Sequence, residues 1–289
     1  MRKCSAAVRA LAICLLAAAA LLPLRARLLA SVSGRNGAQA LTQPEVTALL
    51  ARARMTSDPE ALDGMTLQAN ESWTPYRSGD AVPTGATYSE TDKVEFYHAV
   101  AIEVQTTQDG HPLSASAEAR AQALANQVRH AIDRAWRGPQ DSGQLVVIED
   151  QVWRISQIEA EYAWSGREGP TVNGDPTDYL DFTPLAGRVA HSREEHLLLS
   201  TAGAIQVDTV DGQVLGGTFT SLHPVSFGAG LLARFSAYSG QFTMQPVGPC
   251  WALHTLDARM RGRELFHFLN GEESVTYTQP AGNLGLKPY

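Results

Sequence analysis

Cysteine is nearly absent from the body of this 289-residue chain: Cys4 and Cys14 lie in the first 14 residues and Cys250 stands alone after them. No intrachain disulfide can form once the N-terminal segment is removed, which excludes a disulfide scaffold and leaves stability to a hydrophobic core. A chain of this length with 44% apolar residues can supply one. Also lacking are an internal repeat, a low-complexity stretch beyond the N-terminal segment, any acidic residue before Glu45, and an apolar run long enough to span a bilayer. Residues 10–24, reading ALAICLLAAAALLPL, fall short of the roughly 20 residues a spanning helix needs, and Arg25 and Arg27 interrupt any extension. With Arg2, Lys3 and Arg9 ahead of them they form the charged and apolar regions of a secretory signal. Ala38-Gln39-Ala40 offers a small-x-small cut that leaves Leu41 as the new terminus. The protein is therefore expected to be secreted or periplasmic; the alternative is membrane anchoring by an uncleaved segment 1–40.

The balance of charge is acidic. Net charge is -7, and residues 1–40 hold six basic residues and no acid, so their removal leaves 17 basic residues against 30 acids and a net charge of -13. Such a surface argues against nucleic acid and against anionic lipid, leaving the N-terminal segment as the only expected membrane contact. The expected partner is another protein or a component of the cell envelope, and no cofactor is expected.

Patterning divides the chain into segment 1–40, short helices and an extended loop over 41–92, an α+β unit over 93–165, a linker or loop over 166–184, and a mainly β region with a C-terminal helix over 185–289. Thr42-Gln43-Pro44-Glu45 is a capping box with proline in the first turn, followed by Val46, Leu49, Leu50 and Ala53 at helical spacing. The α+β unit reads strand, helix, strand, strand. Its first strand of about a dozen residues is expected from the alternation through Val94, Phe96, His98, Val100, Ile102 and Val104. A helix over 114–136 should bury Ala117, Ala121, Leu124, Ala125, Val128, Ile132, Ala135 and Trp136. Two strands follow, over 145–148 and 152–164, with a bulge near Ser156-Gln157. Beyond the linker the pattern is mainly antiparallel β: a strand over 188–200, a hairpin turning at Asp211-Gly212, a second hairpin turning at Ser239-Gly240, and one late helix over 251–270. The fold class is α+β.

Three groups of residues could carry function. In the loop, Trp73, Tyr76, Arg77, Asp80 and Tyr88 are aromatics and polar groups that a core does not require, and Trp73, Tyr76, Arg77 and Tyr88 are the candidate binding residues. A second group is His191-Ser192-Arg193-Glu194-Glu195-His196, where two histidines flank two carboxylates. It suggests a zinc enzyme, although the spacing fits neither H-E-x-x-H nor H-x-x-E-H and a strand would send the histidines to opposite faces. The third is Gly248-Pro249-Cys250-Trp251-Ala252-Leu253, which resembles the nucleophile segment of papain-like cysteine proteases. The resemblance implies a cysteine-dependent hydrolase with Cys250 as nucleophile at the start of a helix. His254 is the candidate partner, although His254 and His267 follow Cys250 too closely to match the family, and His191, His196 or His223 from upstream would need a rearranged chain order. The segment departs from that family in leaving only 39 residues after Cys250, where the family places its histidine and asparagine more than about a hundred residues downstream. No catalytic set is complete, so the leading expectation is an exported or envelope-anchored, non-catalytic binding or assembly protein. The cysteine hydrolase comes second and a zinc-dependent enzyme at His191 to His196 third.

Overall fold

The computed structural model describes residues 39–53, 59–76, 87–141, 144–148, 151–227, 233–248, 250–264, 267–268 and 270–279. The apolar segment 10–24, Arg77, Asp80 and residues 149–150 lie outside the described residues. Among those described, no helix is long and apolar enough to cross a membrane. The molecule is α+β with a strong majority of antiparallel strand.

Helix α1 (Gln43–Arg52) begins as the sequence indicates. The Glu45 carboxylate accepts from both the N–H and the hydroxyl of Thr42, each at 2.7 Å, and these bonds lower its pKa. Val46, Leu49, Leu50 and Ala53 are buried in the main core. Just before the helix, Gln39 and Leu41 bond along the edge of strand β7 (Tyr162–Glu168), through Glu168 N to Gln39 O at 3.0 Å and Leu41 N to Gly166 O at 2.9 Å.

Where an extended loop was expected within 41–92, the chain forms the ten-residue strand β1 (Thr66–Pro75) and the first half of β2 (Tyr88–Tyr97), paired antiparallel from Thr66↔Glu95 to Trp73↔Tyr88. Strand β3 (Val100–Gln108) follows after only His98 and Ala99, both left-handed at φ 52° and 61°. The expected single strand is thus a hairpin turning within its own alternation. Its two central residues match the φ > 0 demand of a type I′ turn without the usual glycine or asparagine. His98 is held there by stacking on Trp136 at 4.1 Å and 14°, and the Asp63 carboxylate accepts from Ala99 N at 2.5 Å.

After the short strand β4 (His111–Pro112) comes α2 (Ala115–Ala135), capped by Ser114, whose hydroxyl accepts from Ala117 N. It buries Ala117, Ala125, Val128 and Ile132, whereas Leu124 is 55% exposed, contrary to expectation. Alternate residues of β3 go to different cores: Val100 and Ile102 face α2 and the hairpin of β5 (Leu145–Ile148) and β6 (Gln151–Arg154), while Ala101 packs on the main core. Where a bulge was expected near Ser156-Gln157, a one-turn helix α3 (Ile155–Glu159) carries the chain from β6 into β7.

The presumed linker holds part of a strand pair, β7 with β8 (Thr177–Pro184), in register from Tyr162↔Pro184 to Glu168↔Asp178. Residues 188–200, expected as a strand, contain helix α4 (Arg193–Leu198). Ser192-x-x-Glu195 starts it: the Ser192 hydroxyl accepts from Glu195 N at 3.1 Å and the Glu195 carboxylate accepts from His191 N at 2.5 Å. The Asp211-Gly212 hairpin is present between β9 (Thr201–Asp208) and β10 (Val214–Ser221). Gly212 has φ 78°, and a Cβ there would lie 2.2 Å from the carbonyl oxygen of Arg52, so this turn needs glycine both for its conformation and for its approach to α1.

The short β11 (Val225–Phe227) flanks two 15-residue strands, β12 (Ala233–Val247) and β13 (Cys250–Glu264). Ser239-Gly240 is no turn: Gly240 lies mid-strand with the Phe219 ring above it, where a Cβ would meet Phe219 Cζ at 2.4 Å. The late helix is likewise replaced by β13. Its alternation decides the matter, since Leu256, Ala258 and Met260 are buried while Asp257, Arg259, Arg261 and Arg263 are exposed. After β14 (His267–Phe268), strand β15 (Gly271–Thr278) pairs with both β13 and β1, joining the β1–β3 strands to the rest of the sheet. The resulting sheet runs β4-β3-β2-β1-β15-β13-β12-β10-β9-β8-β7, with α1, α3 and α4 contributing to the core on one of its faces.

Candidate binding face

Cys250 opens strand β13 and is wholly buried, so the helix N-terminus that would lower the pKa of a nucleophilic thiol is not there. His254 follows on the same strand. Between Thr243↔Thr255 and Met244↔Leu253 the register slips, making His254 the extra residue of a β-bulge, and its buried Nδ1 has no hydrogen-bond partner. Four residues of strand separate the two by roughly 13 Å at about 3.3 Å per residue, far beyond proton-transfer reach. His191 precedes the cap of α4 and His196 lies inside that helix, both exposed. The sequence pattern of this segment is accounted for by helix capping.

The aromatic group divides between the two faces of the sheet. Trp73 and Tyr88 stand opposite each other on the core face, with the Trp73 ring over Gly271, where a Cβ would come within 2.5 Å of it. Beside them Glu71 and Glu90 are also directly opposed, and Asp92 follows two residues along β2. Oxygens of these three carboxylates lie within 4.8 Å of one another, and Glu71 and Asp92 are each only 4% exposed. Tyr88 donates to Glu90 at 2.7 Å and the Gln105 amide donates to it at 2.9 Å. Like charges this close share protons or receive a positive charge, and an all-oxygen set has the chemistry of a hard cation site. Sequence reasoning missed this cluster because its period-2 spacing, Glu90-Asp92-Val94-Phe96, begins inside the stretch taken for a loop.

Tyr76 points to the other face. Its N–H bonds Asn270 O at 2.8 Å and its hydroxyl donates to Glu272 at 2.5 Å. Glu272 also receives Arg259 Nε at 2.7 Å and Arg259 Nη2, and the Tyr76 hydroxyl, then Arg259, holds its carboxyl below the ordinary range. Glu272 and Arg259 line an open concavity of about 570 Å³ across β10, β12, β13 and β15. Two rows of side chains cross it in register. One is Thr218, Gln241, Asp257 and Ser274; the other, Ser239, Arg259 and Glu272. The Ser274 hydroxyl donates to Asp257 Oδ1 at 2.7 Å, which fixes that carboxylate. Strand pairing alone builds these rows, because the odd residues of β13 and the even residues of β15 share the outward pleat. What the surface can do chemically is hydrogen-bond a ligand from several directions without surrounding it. No protein-family model, curated protein or solved structure matches this chain.

Proposed function

We propose that this chain is an exported, non-catalytic binding protein of the cell envelope, and that the polar concavity on the outer face of its sheet is the ligand-contacting surface. The observation that carries the reading is that concavity, about 570 Å³ of open volume lined by in-register polar side chains. Support comes also from the signal-like segment, the acidic balance of residues 41–289, and the burial of Cys250. The segment 1–40 directs export and is either cleaved or kept as an anchor. Intact mass of the native protein from soluble and membrane fractions distinguishes these.

The test of the binding role is retention of the purified full chain on native envelope fragments, compared with Gln241→Lys and Asp257→Lys. Both positions are exposed, so the variants fold, and retention should fall at least tenfold. Equal retention by wild type and variants would remove the concavity from the mechanism. Fast alkylation of Cys250 in the folded protein, together with hydrolytic activity lost in Cys250→Ser, would instead establish the cysteine hydrolase.

A further inference from the structure

Resting on the binding role just proposed, we infer that the ligand of the outer concavity is a linear, uncharged saccharide chain lying across the strands. The rows continue beyond the concavity. Ser274 stands opposite Ser72 and Ser72 opposite Ser89, so the first row reads Thr218, Gln241, Asp257, Ser274, Ser72, Ser89 over six neighbouring strands. The second reads Thr220, Ser239, Arg259, Glu272, Thr74, and a third runs Thr243, Thr255, Thr276, Asn70, Thr91. No apolar side chain stands within them, and on the β9 side the first and second end at Ala204 and Ala202. At an interstrand spacing of about 4.8 Å, five steps of the first row extend for roughly 24 Å, which suits a chain of sugar units better than a single one.

Ligand classes separate on this chemistry. A protein partner would be anchored by exposed apolar or aromatic residues at the centre of its footprint; here the outward side chains are hydroxyl, amide, carboxylate and guanidinium, and the lining residues Phe219 and Ala258 are buried in the core. An anionic ligand seated in the concavity would need a cation there, and Arg259, the arginine that lines it, is engaged by Glu272, while Arg261 and Arg263 lie further along β13 outside the lining. Sugar hydroxyls donate and accept at once. Thr218 and Gln241 offer side chains with no hydrogen bond among the described residues, and Asp257 offers its second carboxylate oxygen, held in place by Ser274. Such exposed polar groups give up water without loss only to a ligand that returns as many hydrogen bonds. Half-buried Tyr76 does not line the concavity but holds Glu272, which does, through its hydroxyl.

The experiment is titration of the full chain with uncharged hexasaccharides (cellohexaose, chitohexaose, maltohexaose), with hexagalacturonate and phosphatidylglycerol vesicles as anionic probes. At least one uncharged hexamer should bind, its disaccharide about tenfold more weakly, and Gln241→Ala and Asp257→Ala should each weaken it about fivefold or more while unfolding at the wild-type denaturant midpoint. Binding confined to the anionic probes overturns the inference. If no hexamer binds and Gln241→Lys still abolishes retention on envelope fragments, the saccharide class falls and the binding role stands. If Gln241→Lys also leaves retention intact, both fall.

Discussion

Neighbouring residues on β12 answer to different physics. Gly240 faces the core, with Phe219 pressed over it and the Asp257 carbonyl 2.6 Å from where a Cβ would stand; Gln241 faces outward into the concavity. The same contrast runs along β13, where Leu256, Ala258 and Met260 are buried and Asp257, Arg259 and Arg261 are exposed. The core face specifies the fold through volume and leaves its side chains no freedom to meet a ligand. The outer face contributes little to stability, so its chemistry is available for recognition. That division can be broken by substitution, and the core side should give the larger effects.

The largest effect is expected from Phe182→Ala. The ring is 2% exposed, meets Tyr162 edge-on at 5.4 Å, and lies against Gly203. Truncation leaves a cavity as well as lost burial and should cost about 3–5 kcal/mol in chemical denaturation. Next comes Gly240→Val, which forces a side chain into the Phe219 ring and a neighbouring carbonyl; about 3 kcal/mol is expected, because the backbone on one side has no room to yield. A loss under 1 kcal/mol would show that the core is loose here and the contrast between faces overstated.

The two hairpins show how much of this architecture was readable beforehand. Asp211-Gly212 announces its turn, since glycine supplies the positive φ and the Asp208 and Asp211 carboxylates accept the turn N–H groups. His98-Ala99 has no such signal. The turn is imposed from outside by Trp136 on His98 and Asp63 on Ala99, partners 38 and 36 residues apart, and the uninterrupted alternation hid a change of face. Helix starts at Thr42 and Ser114 were legible because capping is local, and β13 was misjudged because Ala, Leu, Arg and Met favour helix while its period of two lay in the charges. Tyr76, Trp73 and Tyr88 were identified as candidates, but their division between faces depends on pairing with β15 and β2, which no local pattern encodes. Gln241, Asp257 and Ser274 come together only through the sheet.

A third effect sharpens the comparison by pH. Glu159 is buried, and loss of hydration pushes its carboxyl from the ordinary 4.5 up to about 9. Folded protein therefore keeps this proton where unfolded chain has released it. The group's contribution is fully present below about pH 4.5 and declines as pH rises toward 9. Glu159→Gln removes the ionisation, so it should gain about 1–2 kcal/mol over wild type at pH 8 and show no such gain at pH 4. Denaturant midpoints at the two pH values check this, and an equal difference at both would mean that the carboxyl is not held neutral in the fold.

The smallest effect is expected on the outer face, and it bears most directly on function. Gln241 is exposed and its side chain makes no hydrogen bond among the described residues, while its backbone already occupies a strand, where valine is favoured. Gln241→Val should therefore leave the unfolding free energy within about 0.5 kcal/mol of wild type. Valine at this position also removes an amide and inserts an apolar patch between Thr218 and Asp257, so retention on envelope fragments should drop while the melting curve does not move. A fall in stability matching the fall in retention would mean that the outer row supports the sheet. The separation of the two readouts is what a surface kept for a ligand requires.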